Sequence, residues 1–144
     1  MITVETALKI ILDSARVMGK EQIHLLAAQN RVLAENISAG RNIPPADNSA
    51  MDGYALRSSD TGGATGKNPL RLKIVENIPA GKISRKKIGK GQAARIMTGA
   101  VIPAGADAVI RQEDTERDGR EIMILAPVAK NTDIRFAGED VRKG

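Results

Sequence analysis

The chain changes character at Pro44-Pro45, and that break limits what it can fold into. Ahead of it, Val4, Ala7, Leu8, Ile11, Leu12 and Ala15 fall on one stripe. Such spacing predicts an amphipathic helix over 3–15 whose apolar face packs. Thr3 suits the N-cap, Glu5 suits the positive end of the helix dipole, and Gly19 offers a stop after Arg16. The next residues predict a short strand over 22–26, a second helix over 26–33 by propensity, and an extended run over 36–39. The lone histidine, His24, alternates with Ile23 and Leu25, which turns it toward solvent or a polar partner in a structural role.

Beyond the prolines the pattern becomes that of strands. Leu70, Leu72 and Ile74 alternate with Arg71 and Lys73, while 93–97, 106–111 and 121–125 are further strand candidates, some nearly continuous in apolar residues. The tetrapeptide Ile-Pro-Ala-Gly occurs at 78–81 and at 102–105, and each copy is turn chemistry rather than a true repeat. Asp118-Gly119 between two strand candidates is a hairpin signal. The expected class is α+β with β dominant. A barrel-like β-rich domain over 46–128 is inserted into a small discontinuous layer formed by 1–43 and 129–144. The closing run Glu139-Asp140-Val141-Arg142-Lys143-Gly144 shows no natural stop, so a truncated chain is expected.

Composition removes several functions. There is no cysteine and one histidine, which excludes a disulfide framework, a zinc–thiolate site and a histidine-rich metal centre. Tyr54 and Phe136 are the only aromatic residues, so the core must be aliphatic. Apolar runs fall far short of the ~20 residues a membrane span needs, and no signal segment follows Met1. A cytoplasmic location with no membrane association is expected. Net charge is +5. The dense basic patch Lys82, Arg85, Lys86, Lys87 and Lys90 has no stacking aromatics beside it, which argues against nucleic acid and leaves first a soluble surface that happens to be basic, and second a field that draws small anions.

Three segments can carry chemistry. In 43–57, two prolines stiffen the approach, and Asp47, Asn48 and Ser49 can hydrogen-bond their own backbone. Gly53 permits a backbone angle that its neighbour Asp52 does not, so Asp52 is held at a loop-to-strand junction, with Tyr54 offering the only phenol. The same residues also suit an ordinary Asp-Gly turn with a solvated acid. Thr98, ending a strand at Thr98-Gly99, can offer a hydroxyl and N–H groups to an anion, or can be a satisfied turn residue. The run 131–140 mixes Arg135 with Glu139 and Asp140 around Gly138, as a charged loop does.

The run Asp47-Asn48-Ser49-Ala50-Met51-Asp52-Gly53-Tyr54-Ala55 is long and unusual. It is followed in order by Ile96-Met97-Thr98-Gly99-Ala100, Pro103, Gly105, Val109, Gln112-Glu113, and Arg135 with Gly138-Glu139-Asp140. In order and spacing the whole chain resembles the N-terminal region of the molybdopterin molybdotransferases, the bacterial MoeA type and the gephyrin E-domain. The resemblance implies an elongated homodimer of much longer subunits, with a pterin- and molybdate-binding domain and a β-barrel beyond residue 144. It also implies a cleft between two subunits to which Asp52, Thr98, Arg135 and Asp140 contribute.

The family reaction takes adenylylated molybdopterin, supplied by a molybdopterin adenylyltransferase, and molybdate. It inserts the metal and releases AMP, with a divalent cation. Two like unit charges about 4 Å apart repel by ~4 kcal/mol at an effective dielectric of 20, so carboxylates in such a cleft need a cation or a proton to handle. On this reading Asp52 and Asp140 hold Mg²⁺ or orient the attacking water. Arg135 binds a phosphate or molybdate oxygen, and Thr98 donates one hydrogen bond. Phe136-Ala137 stands where some relatives carry further arginines, which weakens the local positive field. The fragment alone is expected to be inactive. The alternatives are a non-catalytic interaction or dimerisation module, and a basic adaptor that binds any phosphate backbone with steep salt dependence.

Overall fold

The computed structural model describes residues 2–144. They divide into two compact units, one running to Ile37 and one over Ser38–Gly144. The expected class holds: one α-helix is accompanied by eight strands among the described residues.

In the first unit, α1 (Val4–Ser14) is capped by Thr3, whose hydroxyl accepts the Thr6 N–H at 3.2 Å. The helix ends at Ala15, which is already extended, before Gly19 is reached. None of its residues is buried, so the predicted packing face stays open, with Leu8, Ile11 and Leu12 exposed. The predicted strand over 22–26 and helix over 26–33 do not form. That stretch makes only a 3-10 turn, Leu25–Ala27, in which His24 Nδ1 accepts the Leu26 N–H at 3.3 Å. A helix this short needs a buried face to persist. Here Leu25, Leu26 and Leu33 are exposed and Asn30 turns left-handed at φ 62°.

The second unit holds β1 (Asn48–Ser49), β2 (Gly53–Leu56), β3 (Leu70–Ile78), β4 (Gln92–Ile96), β5 (Ala108–Arg111), β6 (Thr115–Asp118), β7 (Glu121–Ile124) and β8 (Ile134–Arg135). Six strands make one curled half-barrel sheet in the order β5-β2-β4-β3-β7-β6, antiparallel except for the β3–β4 pair. β6 and β7 form the hairpin signalled by Asp118-Gly119, with Asp118 paired to Glu121. Both Ile-Pro-Ala-Gly copies are turns: the Lys82 N–H reaches the Pro79 carbonyl at 3.1 Å and the Ala106 N–H reaches the Pro103 carbonyl at 3.2 Å. Gly81 and Gly105 supply the positive φ that this turn needs at its third residue.

The β5-β2-β4 part of the sheet is buried on both faces, which explains its nearly continuous apolar strands. On one face Tyr54, Leu56, Leu72, Ile110, Ile122 and Ile124 pack together. On the other, Ala55, Ile78, Ile88, Ile96 and Val109 do the same. The core is aliphatic with one exception: Tyr54, 2% exposed, lies inside it and not beside the Asp52 carboxylate as a free phenol.

Short pairings tie the flanks of the sheet together. β1 pairs with β8, matching Asn48 to Arg135 and Ser49 to Ile134. On its other edge the Ser49 N–H donates to Ala100 and its carbonyl accepts the Gly99 N–H. Ile43 bridges to Val141, and the Gly144 N–H reaches the Ala39 carbonyl.

Candidate functional site

Asp52 sits where a stiff loop feeds β2. Ser49 folds that loop, its hydroxyl donating to the Met51 carbonyl at 2.6 Å. The Ala50 N–H donates to the Asp133 carbonyl, and the Asp52 carbonyl accepts the Gln112 N–H at 3.1 Å. The neighbouring residues act differently from the local capping the sequence suggests. Asp47 Oδ1 accepts the distant Ala137 N–H at 2.8 Å, and Asn48 Oδ1 is buried with no partner among the described residues.

Gly53 is required for space. Its φ is not positive, contrary to the expectation of an unusual backbone angle. It lies between Ile96 on β4 and Arg111 on β5, and a Cβ there would overlap the Ile110 carbonyl oxygen. Close strand approach, which only glycine allows, brings the start of β2 against the end of β5.

Because Gly53 pairs with Ile96, Asp52 just before β2 and Thr98 just after β4 leave the sheet at the same end. The Thr98 N–H and hydroxyl both donate to Asp52 Oδ1, each at 2.7 Å. The Thr98 amide, then its hydroxyl, hold the Asp52 carboxyl below its ordinary range, and the nearby Arg95 charge adds to the effect. No donor among the described residues reaches Asp52 Oδ2. Asp52 is half-buried and Thr98 exposed, so the pair is open to an approaching molecule.

Arg135 and Asp140 form a second pair. Arg135 Nη2 donates to both Asp140 oxygens, at 2.7 and 2.6 Å, and its Nε lies 3.9 Å from Glu139 Oε1. Both side chains are partly exposed, at 42% and 46%, so the ion pair is reachable from solvent. No hydrogen bond or ion pair among the described residues joins this pair to Asp52 and Thr98. The structure therefore groups the four residues two by two. No three His, Asp or Glu side chains converge as a metal cage among the described residues.

The sequence pattern did not single out Arg95 as a site residue. From β4 its guanidinium lies 5.4 Å from the Tyr54 ring centre, and Nη2 donates to Gln112 Oε1 at 2.7 Å. A cation interrupting the apolar run of β4 is the one sequence signal that marks it. Arg111 is likewise fixed on Asp133, through Nε to Oδ2 at 2.9 Å.

Comparison with known proteins agrees with this fold. The family model described as the MoeA N-terminal region, domains I and II, matches residues 2–144. Molybdopterin molybdenumtransferase of Staphylococcus aureus strain Mu50 is 40% identical over 143 residues, covering 99% of this chain and 34% of that protein. Its namesake in Bacillus subtilis strain 168 is 40% identical over 147 residues, with the same coverage of 99% and 34%. The crystal structure of a molybdopterin biosynthesis MoeA protein from Pyrococcus horikoshii superimposes with a TM-score of 0.88 at 44% identity, over 97% of this chain and 37% of that one. The chain spans about a third of the length of the curated relatives it matches. It belongs to the MoeA family and corresponds to the N-terminal region of its members.

Proposed function

We propose that this chain supplies one wall of the cleft in which a molybdopterin molybdotransferase inserts molybdate into adenylylated molybdopterin and releases AMP. The observation that carries the reading is the Asp52 carboxylate, fixed by two Thr98 donors on Oδ1 with Oδ2 turned free. The remainder of the cleft comes from regions of the relatives that this chain does not span and from the second subunit of a homodimer. The substrate comes from a molybdopterin adenylyltransferase, and the reaction runs in the cytoplasm.

The donors fit magnesium at Asp52 and not at Asp140. Mg²⁺ takes one or two carboxylate oxygens together with water and phosphate oxygens. Asp52 Oδ2 offers one such oxygen, whereas both Asp140 oxygens are held by Arg135. When bound, the cation would supply charge neutralisation between phosphate oxygens. The lowered pKa of Asp52 is compatible with both roles expected of it. Donors that favour the ionised form support its acting as a carboxylate, holding a cation or accepting a hydrogen bond from the attacking water at Oδ2. Thr98 positions that carboxylate, since both of its donors are already used. Asp140 orients Arg135, whose remaining N–H groups are left for an anionic oxygen.

In the full-length protein, Asp52→Asn is expected to abolish AMP release while leaving pterin binding nearly intact. Normal turnover would remove Asp52 from the mechanism. The 144 residues alone are expected to show neither tight pterin binding nor turnover, and stoichiometric AMP release by them would refute this. A second reading, a non-catalytic interaction module, draws support from the uncovered stripe of α1. It requires that Asp52→Asn leave cofactor synthesis intact while a partner is lost.

A further inference from the structure

Arg95 on β4 pairs with Tyr54, which pairs in turn with Ile110 on β5. Toward the end of the sheet the register continues through Asp52 and Gln112: the Gln112 N–H donates to the Asp52 carbonyl at 3.1 Å. Arg95 reaches diagonally into that last row, where its Nη2 donates to Gln112 Oε1 at 2.7 Å.

The Gln112 side chain is thereby fixed in one orientation. A guanidinium only donates and a carboxylate only accepts. Oε1 therefore faces Arg95, while Nε2 donates to Glu113 Oε1 at 3.2 Å. At Gln112 the chain leaves β5 for the 3-10 turn Gln112–Asp114, and no side chain caps that turn. The Thr115 hydroxyl donates to the Gln112 carbonyl at 2.9 Å. With the N–H on Asp52 and the carbonyl on Thr115, Arg95 supplies the hold on the side chain.

Arg95 itself has no acidic partner. Arg71, Arg111 and Arg135 each hold a carboxylate. Among the described residues Arg95 is held by neutral groups instead: Gln112, the Tyr54 hydroxyl at 3.4 Å and the Tyr54 ring. That ring is buried in the core, so the guanidinium rests on a rigid platform. The cation is spent on geometry and not on a salt bridge.

We infer that Arg95 is a positioning residue: it fixes Gln112, whose N–H holds the Asp52 backbone and so sets where the Asp52 carboxylate stands. The inference deepens the molybdotransferase reading and rests on the role given there to Asp52. Arg95 acts through Gln112 and not by touching substrate. Loss of positioning lowers kcat, whereas loss of a contact made equally in the bound substrate raises KM.

The test has two arms. In this chain, Arg95→Met keeps an apolar stem beside Tyr54 and removes every donor. Hydrogen exchange at the Gln112 amide is expected to quicken about tenfold, as for one lost charge-assisted hydrogen bond. The amide of Ile122, in the core of the half-barrel, should keep its protection. Gln112→Ala should quicken exchange at the same amide, and carries this arm where Arg95→Met lowers the melting temperature.

In the full-length protein, Arg95→Met, Gln112→Ala and the double variant should lower kcat for AMP release to a similar level, with KM for adenylylated molybdopterin unchanged. Multiplicative losses, a raised KM at unaltered kcat, or unchanged exchange at Gln112 would overturn the inference. Normal turnover by Arg95→Met where Asp52→Asn is inactive would also overturn it, and would leave the reading of Asp52 standing. Normal turnover by Asp52→Asn removes that reading, and the inference with it, whatever the exchange rates show.

Discussion

The amide and the hydroxyl of Thr98 meet on a single oxygen of Asp52. Both donors favour the ionised carboxylate, so the folded protein depresses this pKa. The sign follows. Stability from this contact is present above the unfolded carboxylate pKa of about 3.9 and is lost as pH falls through the lower folded value. The Thr98 amide resonance should therefore titrate with a midpoint below about 3.9. Thr98→Val removes the hydroxyl but keeps the N–H, and should move that midpoint part of the way back. A midpoint above the ordinary range in the unaltered protein would contradict the assignment.

Arg135 and Asp140 should behave as one unit. Each engages the other through two contacts, so removing either disorders the remaining partner. In the full-length protein, Arg135→Gln, Asp140→Asn and the double substitution are expected to lower turnover to a similar level. Multiplicative losses in the double variant would mean that the two residues act independently.

Gly53→Ala tests how the Asp52 junction is built. The added methyl group would overlap the Ile110 carbonyl, forcing β2 away from β5. Overpacking of this kind costs about 1–3 kcal/mol, measurable by urea denaturation. Because the Asp52 carbonyl holds Gln112 beside this contact, turnover of the full-length protein should fall as well. A variant as stable as the parent would show that the strands separate freely.

The half-barrel core should respond as a close-packed interior. Ile122, fully buried on β7, lies among Leu72, Tyr54 and Ile124. Ile122→Ala should cost about 2–5 kcal/mol, read as a lower denaturation midpoint with an unchanged slope. A cost below about 1 kcal/mol would mean that the neighbours collapse into the space.

What could be read from the sequence was local. The helix of α1, the alternation in β3 and the Asp118-Gly119 hairpin each lie within about a dozen residues, and each forms, although the apolar stripe of α1 stays unburied. The helix expected over 26–33 rested on propensity alone and had nothing to pack against. The parallel pairing of β3 with β4 is set by contacts across the sheet that no short pattern encodes. At the site, the family-like run pointed to Asp52, but the partner that fixes its charge is Thr98, far along the chain. Gly53 was misread because positive φ and close approach both demand glycine and leave the same letter in the sequence. Arg95 was passed over because its contacts, Tyr54 and Gln112, come together only when β2 and β4 pair and the β5 end folds beside them.

The two-residue pairing of β1 with β8 sets Asn48 beside Arg135. The chain thus departs for the half-barrel and comes back through adjacent doorways. A substitution at Asn48 would therefore be felt at the Arg135–Asp140 pair through this pairing.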